Sequence, residues 1–343
     1  MSIFISIASY QDPLLESTVF SAINNADNPN NLVFGICDQS SNIRDLSAYN
    51  AQSEIKYEHV DPILSKGPCW ARNRIQSLFQ DEEFYLQIDS HTQFDKHWDT
   101  FLIENYTKIK NISQDRYFAK PILTCYPRPF EVTDVEKGEV KLNLSDPYTQ
   151  VITYRKDSIF MRDLFSRQIG IPTKLSKATH GYLLAAGCLF TNGSFIKDVP
   201  YDPNFYFYGE EISLMLRAFT RGYSIFHLPD VPIFHLYTDP VNAPRKLHWN
   251  AEEDMHRPTK WNELEKISIE RLRGLIENKL DEVWGLGDIF TLNDYAVLSG
   301  LDYKEKKVID EEKAFNKKLF EGTDLGVRPV SYTHLTLPTI LPV

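Results

Sequence analysis

The chain has 343 residues, 42% hydrophobic and 24% charged, the balance of a folded soluble protein with room for two domains, or one large α/β domain plus an appendage. With 37 Lys and Arg against 47 Asp and Glu the net charge is −10, and no basic run offsets it, which excludes a nucleic-acid partner. Cys37, Cys69, Cys125 and Cys188 form no CxxC pair, which excludes a zinc ribbon or thioredoxin-type site and predicts buried free thiols in a reducing compartment.

The N-terminus lacks a basic region and a signal-length apolar stretch, and nothing approaches the ~20 apolar residues needed to span a bilayer, so a cytoplasmic protein with no membrane span is expected. Residues 3–8 form a short apolar, β-branched run, a buried strand. Asp12-Pro13 opens a helix whose apolar face is Leu14, Leu15, Thr18, Val19 and Ile23. Residues 32–37 are a second buried strand closing on Asp38-Gln39-Ser40. Lys66-Gly67-Pro68 starts a helix with Trp70, Ala71, Arg72 and Leu78, and residues 84–88 are a third strand ending on Asp89-Ser90-His91. Residues 117–160 read as strands and long loops, 182–190 as a buried strand, 210–220 as a helix stopped by Gly222, and 223–228 and 233–236 as short strands. Beyond about residue 250 the chain turns charge-rich and helical, with helices expected over 262–283 and 310–320. Residues 329–343 have no period of either kind and are expected to be a non-native tail. The alternation of strand and helix predicts an α/β sheet covered by helices on both faces, with ligands at the carboxyl ends of its strands.

The chemistry-bearing residues gather at such strand ends. In Asp89-Ser90-His91, alternate residues of an extended segment point the same way, so a carboxylate and an imidazole can face one cation. That pairing suits Mn²⁺ or Mg²⁺ beside a diphosphate leaving group, although an ordinary strand-end turn is the plainer alternative. Glu210 and Glu211 open a helix, where the dipole favours acids, and are candidates for binding sugar hydroxyls. His235 follows a strand and is a candidate third metal ligand. His248, His256, His227 and His180 compete with it, His248 most strongly. Gly67-Pro68 before a helix makes an anion site at which Arg72 could clamp a phosphate.

Ser6-Ile7-Ala8-Ser9-Tyr10-Gln11-Asp12, Gly67-Pro68 with Ala71-Arg72, Asp89-Ser90-His91, Ala185-Ala186-Gly187 with Phe190, and Gly209-Glu210-Glu211-Ile212-Ser213 with Arg217 together resemble the cytoplasmic UDP-GlcNAc:polypeptide α-N-acetylglucosaminyltransferases, the Skp1-type enzymes. The similarity runs from residue 3 to about 303, where Gly285-Leu286-Gly287 and 298–302 also fit, while Gln11 departs from the usual Arg. More distantly the chain is similar to the mucin-type polypeptide N-acetylgalactosaminyltransferases. Their spacing from glutamate to ligand histidine fits the 25 residues between Glu210 and His235 and favours His235 over His248.

The resemblance implies a GT-A fold over residues 1–250, with the charge-rich helical segment 251–328 packed on it as an extension. It also implies a UDP-sugar donor, most naturally UDP-GlcNAc, a Mn²⁺ or Mg²⁺ ion, retention at the anomeric carbon, and a hydroxyl acceptor on a protein or glycan. Carried onto this sequence, Asp89, His91 and His235 hold the metal. With UDP across the carboxyl ends of the first two strands, Ser9, Tyr10 and Asp38 are expected near the uridine, Arg72 at the diphosphate, and Ser90 and Gly187 at the rest of the donor. Glu210 and Glu211 act on the sugar. A nucleotide-sugar-binding protein without turnover is the alternative. A nucleotidylyltransferase would need a Gly-rich basic loop after the first strand, and Ser9-Tyr10-Gln11-Asp12 is not one.

Overall fold

The computed structural model describes residues 1–112, 120–161 and 163–315. The first part of the chain forms β1 (Ile3–Tyr10), α1 (Leu15–Asn25), β2 (Leu32–Gln39), β3 (Glu54–Val60), α2 (Pro68–Gln76), β4 (Phe84–Asp89), β5 (Thr92–Phe94) and α3 (Trp98–Ile112). There follow β6 (Lys120–Thr124), β7 (Arg128–Asp134), β8 (Glu139–Leu142), β9 (Thr149–Tyr154), β10 (Gln168–Thr173), β11 (Thr179–Gly181), β12 (Cys188–Asn192), α4 (Phe195–Asp198), α5 (Glu210–Thr220), β13 (Tyr223–His227) and β14 (Ile233–His235). The last part carries α6 (Ala251–Asp254), α7 (Trp261–Ile276), α8 (Leu292–Ser299), β15 (Leu301–Asp302), β16 (Lys307–Val308) and α9 (Glu311–Ala314).

Eight strands make one mixed sheet in the order β11-β13-β6-β12-β4-β1-β2-β3. Strands β4, β1, β2 and β3 are parallel, and β12 inserts antiparallel between β4 and β6. The continuous apolar run of β1 is what a strand covered on both faces requires. Its side chains alternate between two cores. Ile3, Ile5 and Ile7 pack with Leu15 and Val19 of α1 and Trp98 and Leu102 of α3. Phe4 packs on the other face with Ala71 and Ile75 of α2, while Leu214 and Leu216 of α5 and Leu272 and Leu275 of α7 belong to the same core. Burying each such aliphatic or aromatic side chain is worth roughly 1.5–3 kcal/mol.

A second, four-stranded sheet, β5-β14-β7-β8, sets the site. Strand β14 pairs antiparallel with β5, so His235 lies opposite Thr92, one residue past the Asp89-Ser90-His91 triplet. Leu236 N donates to His91 O (3.0 Å) and extends the pairing.

Three elements differ from the sequence-based expectation. Residues 182–187 are not strand: β12 begins at Cys188, and an irregular segment with an Ala185–Cys188 bridge precedes it. The helix expected over 262–283 is Trp261–Ile276, and Asn278 beyond it takes a left-handed φ of 56°. Of the helix expected over 310–320, Glu311–Ala314 is present and 316–320 lie outside the described residues, as do 329–343. All four cysteines are free and buried. Among the described residues no helix is long and apolar enough to cross a membrane.

The segment after residue 250 is stitched to the sheet by buried polar groups. Tyr154 OH lies 3.0 Å from Tyr295 OH and 2.9 Å from Tyr303 OH. Arg217 of α5 is fully buried and donates to Pro200 O (2.8 Å) and Val283 O (2.5 Å). Under the loop that leads into α5, Ser268 of α7 accepts from Tyr206 N (3.1 Å) and donates to Tyr208 O. Beside it, Glu265 accepts from Tyr208 N (3.4 Å), and burial pushes its carboxyl up to about 7. A folded-state value above the unfolded one means that this site's contribution is present at low pH and is lost as pH rises through about 7. Glu265→Gln is therefore expected to leave stability nearly unchanged at pH 5 and to raise it by about 1–2 kcal/mol at pH 8, measured by urea unfolding. An equal difference at both pH values contradicts the burial of this carboxyl.

Candidate active site

A cleft with about 1180 Å³ of empty space, part of it open solvent, lies over the carboxyl ends of β1, β2 and β4. Its floor includes Tyr10 and Gln39 at the ends of β1 and β2, and Asp89, Ser90 and His91 at the end of β4. Gly187, Glu210, Glu211 and His235 form one side, and the 245–249 loop closes another with Arg245, Lys246, His248 and Trp249.

Asp89, His91 and His235 each offer a ligand atom, and these atoms lie within 4.8 Å of one another. His235 Nε2 is 3.0 Å from Asp89 Oδ2, and His91 Nε2 is 4.0 Å from the same oxygen. Burial opposes ionisation of Asp89, but the His235 hydrogen bond and the Arg72 guanidinium outweigh it and hold the carboxyl well below the usual carboxylate range. Burial pushes the His235 imidazole down to about 4, which keeps it in the neutral form that a metal ligand needs. One carboxylate and two imidazoles in this space fit a divalent cation.

The groups behind the triplet fix it. Asp12 Oδ2 accepts from His91 Nδ1 (2.7 Å) and from Ser90 Oγ (3.0 Å), and Asp12 Oδ1 accepts from Leu14 N (2.9 Å). Burial works against this carboxylate, yet His91 and Arg245 hold it down at about 2. An imidazole whose Nδ1 donates to a carboxylate presents Nε2 to the cleft, the arrangement that orients metal-binding histidines. Asp12, which the sequence places in a strand-end cluster and at a helix start without a role of its own, is thus part of the site. A Cβ on Gly187 would stand 2.8 Å from Asp89 Oδ2, so the glycine is what lets the 182–187 segment close over the carboxylate.

Several candidate residues sit differently from the sequence-based expectation. Arg72 is not turned to an open phosphate position: Nη2 donates to Asp89 Oδ1 (2.7 Å) and Nη1 to Glu210 Oε1 and Tyr201 OH, the last at 3.3 Å. Ser9 and Asp38 do not line the cleft. Strand alternation turns them to the Ile7 and Ile36 face, and their neighbours Tyr10 and Gln39 face the cleft instead. Asp38 Oδ2 accepts from Tyr57 OH (2.8 Å) and Ser40 Oγ (2.9 Å), with Arg44 Nε at 3.3 Å. Gln39 Nε2 donates to Ser9 O (2.8 Å). Glu210 accepts from Tyr201 OH (2.9 Å), and Glu211 from Ala186 N (2.9 Å) and Gln168 Nε2 (3.0 Å). His248 stands away from the triplet, with Nδ1 2.7 Å from Tyr206 OH and Nε2 3.3 Å from Ser65 O. Arg245 and Lys246, basic and adjacent in sequence, are the cleft residues whose role the sequence reading left unassigned.

An open mixed sheet with a cleft at its carboxyl ends, covered by helices on both faces, agrees with the GT-A arrangement expected from the sequence, and the matching family model makes the protein a glycosyltransferase. The chain belongs to the glycosyltransferase (GlcNAc) family, whose model matches residues 2–52 and 44–303. No curated protein matches it. Among solved structures, S. aureus TarS 1–349 is 14% identical over 80% of this chain and 74% of that chain, with a TM-score of 0.43. GalNAc-T7 with UDP, GalNAc and Mn²⁺ is 14% identical over 86% of this chain and 54% of that chain, with a TM-score of 0.49. The mannosyltransferase PcManGT from Pyrobaculum calidifontis, in complex with GDP-Man and Mn²⁺, is 13% identical over 70% of this chain and 58% of that chain, with a TM-score of 0.40.

Because Asp12 holds His91 and Ser90 together, Asp12→Asn is expected to weaken Mn²⁺ binding roughly 10–100-fold while leaving the fold intact, read by calorimetric titration beside circular dichroism. Unchanged affinity contradicts the supporting role of Asp12.

Proposed function

We propose that the protein is a retaining, metal-dependent glycosyltransferase that moves GlcNAc from UDP-GlcNAc to a hydroxyl on a protein or glycan acceptor. The observation that carries this reading is the convergence of Asp89 at the end of β4, His91 in the turn after it and His235 of β14 within 4.8 Å at the carboxyl end of the sheet. These three residues would hold Mn²⁺ or Mg²⁺. Bound there, such an ion neutralises the negative charge that builds on a departing diphosphate.

The chain's own residues divide the remaining work. Asp12 and Ser90 orient His91, and Gly187 leaves room for the Asp89 carboxylate. Arg72 holds Asp89 and Glu210 in fixed relation, so it positions carboxylates and does not itself grip phosphate. Arg245, whose Nη2 donates to Tyr237 O (2.6 Å), and Lys246, paired with Glu253 (3.0 Å), are the remaining cations on the cleft wall for diphosphate oxygens. Tyr10 and Gln39 face the uridine, and the Ser9 backbone carbonyl holds the Gln39 amide from behind. Glu210 and Glu211, at the mouth of α5, accept hydrogen bonds from sugar hydroxyls. Both carboxylates are already held by protein donors, which argues against either as an attacking nucleophile. Retention then follows from attack on the face the diphosphate leaves. The acceptor oxygen bonds to the anomeric carbon, that carbon's bond to the phosphate oxygen breaks with its electron pair going to UDP, and the acceptor proton passes to that phosphate oxygen. The GlcNAc donor rests on the family. A cytoplasmic location belongs to the same reading, since all four thiols are free.

Removing one preorganised electrostatic group from an active site commonly costs roughly 10²–10³ in rate. Asp89→Ala is expected to lose at least about 10²-fold in turnover of UDP-GlcNAc with Mn²⁺, the fold being retained by circular dichroism. Undiminished turnover sinks the assignment. Binding of UDP-sugars by the wild type without turnover on any acceptor or on water points instead to a nucleotide-sugar-binding protein.

A further inference from the structure

Tyr10 is the end residue of β1, and its ring lines the cleft. What holds that ring comes from more than 240 residues later in the chain. The Arg257 guanidinium is buried, 2% exposed, behind the cleft wall. Its Nη2 donates to Tyr10 OH, and its carbon lies 5.3 Å from the Tyr10 ring centroid. Its Nη1 donates to His248 O and to Asp254 Oδ1, the latter at 3.3 Å. Tyr10 OH in turn donates to Glu253 Oε2 (2.9 Å). The His248 ring packs against Tyr10 (centroids 5.1 Å apart) and Tyr206 (5.3 Å). Tyr10, His248 and Tyr206 are therefore one aromatic wall with a buried cation behind it.

Burying a guanidinium is costly unless its donors are used. Here the two ends of one planar fork serve two separate segments, something a lysine ammonium on a flexible stem does poorly. We propose that Arg257 is a positioning residue for the nucleoside end of the donor site, fixing the Tyr10 ring and the 245–249 loop as a single preformed wall. The inference deepens the donor reading above and rests on it. It makes the segment after residue 250 a builder of the site: Arg257 touches no donor atom and acts through Tyr10 and the backbone of His248. Preforming a binding wall lowers the ordering cost of association, so its loss appears in affinity and not in the chemical step.

The test uses the full chain and UDP as probe, in the presence of Mn²⁺. Arg257→Ala is expected to weaken UDP binding about tenfold by calorimetry and to raise KM for UDP-GlcNAc by the same factor, with kcat within about twofold and the affinity for Mn²⁺ alone unchanged. Arg257→Lys is expected to recover only part of the loss. Tyr10→Phe, which removes only the hydroxyl, is expected to weaken UDP binding as well, and adding Arg257→Ala to it should cost less than the two single losses combined. Should Arg257→Ala fail to fold, the lysine variant and Tyr10→Phe carry the comparison. Wild-type UDP affinity in Arg257→Ala overturns the proposal, as does an equal loss of UDP and Mn²⁺ affinity, or full additivity with Tyr10→Phe. A wild-type protein that binds no UDP overturns the donor reading itself and the role of Arg257 with it.

Discussion

The carboxylate of Asp89 is the point on which the site turns. It sits at the last position of β4, between the Arg72 guanidinium at 2.7 Å and the His235 imidazole at 3.0 Å. An ionised carboxylate out of bulk water needs such partners, because burial alone favours its neutral form. Each partner is delivered by a different part of the fold. Arg72 rides on α2, whose start is fixed by Gly67 at φ 95° and Pro68 at the first helical position. His235 is delivered by the pairing of β14 with β5, and Gly187 by the irregular turn before β12. The sheet holds the parts in place, and the charge balance around one oxygen pair explains why they must converge.

The same balance explains why Arg72 is engaged with carboxylates. Its two terminal nitrogens bind Asp89 and Glu210, so it couples the end of β4 to the first turn of α5. The other cations on the cleft wall lie in the 245–249 loop, where Arg245 leans on Asp12 at 3.9 Å and Lys246 on Glu253 at 3.0 Å. The wall that carries these cations is tied down by Arg257, and α5 and the loop before it are tied through Arg217 and Ser268 to the chain beyond residue 260. The late segment thus contributes to the cleft as well as to the bulk of the protein.

Much of this was legible in the sequence, and the gaps have physical reasons. The strands β1, β2 and β4 announce themselves as apolar runs ending in polar clusters, and Asp89-Ser90-His91 stands at one of those ends. Singling out His235 needed the 25-residue spacing from Glu210 as well, because a lone histidine carries no positional signal; the β14–β5 register then set His235 and not His248 beside Asp89. Ser9 and Asp38 were chosen by position at strand ends, but face is a matter of parity, and one residue of shift exchanges cleft for core. The edge strand β3 carried a signal, Glu54, Lys56 and Glu58 alternating with Ile55 and Tyr57, that lay outside the predicted elements. Helix α3 did carry a signal, Trp98, Leu102, Tyr106 and Ile109 at helical spacing, which lay outside the predicted elements. Contacts such as Arg257 to Tyr10 have no local signature: nothing near either residue points to the other.

Sharing of one divalent cation by Asp89, His91 and His235 can be tested without recourse to activity by anomalous scattering from crystals grown with Mn²⁺ and UDP. The expected result is a single manganese peak bonded to the Asp89 carboxylate and both imidazoles, with UDP phosphate oxygens in contact. A manganese bound elsewhere, or UDP seated in the cleft with these three side chains turned from one another, would contradict it.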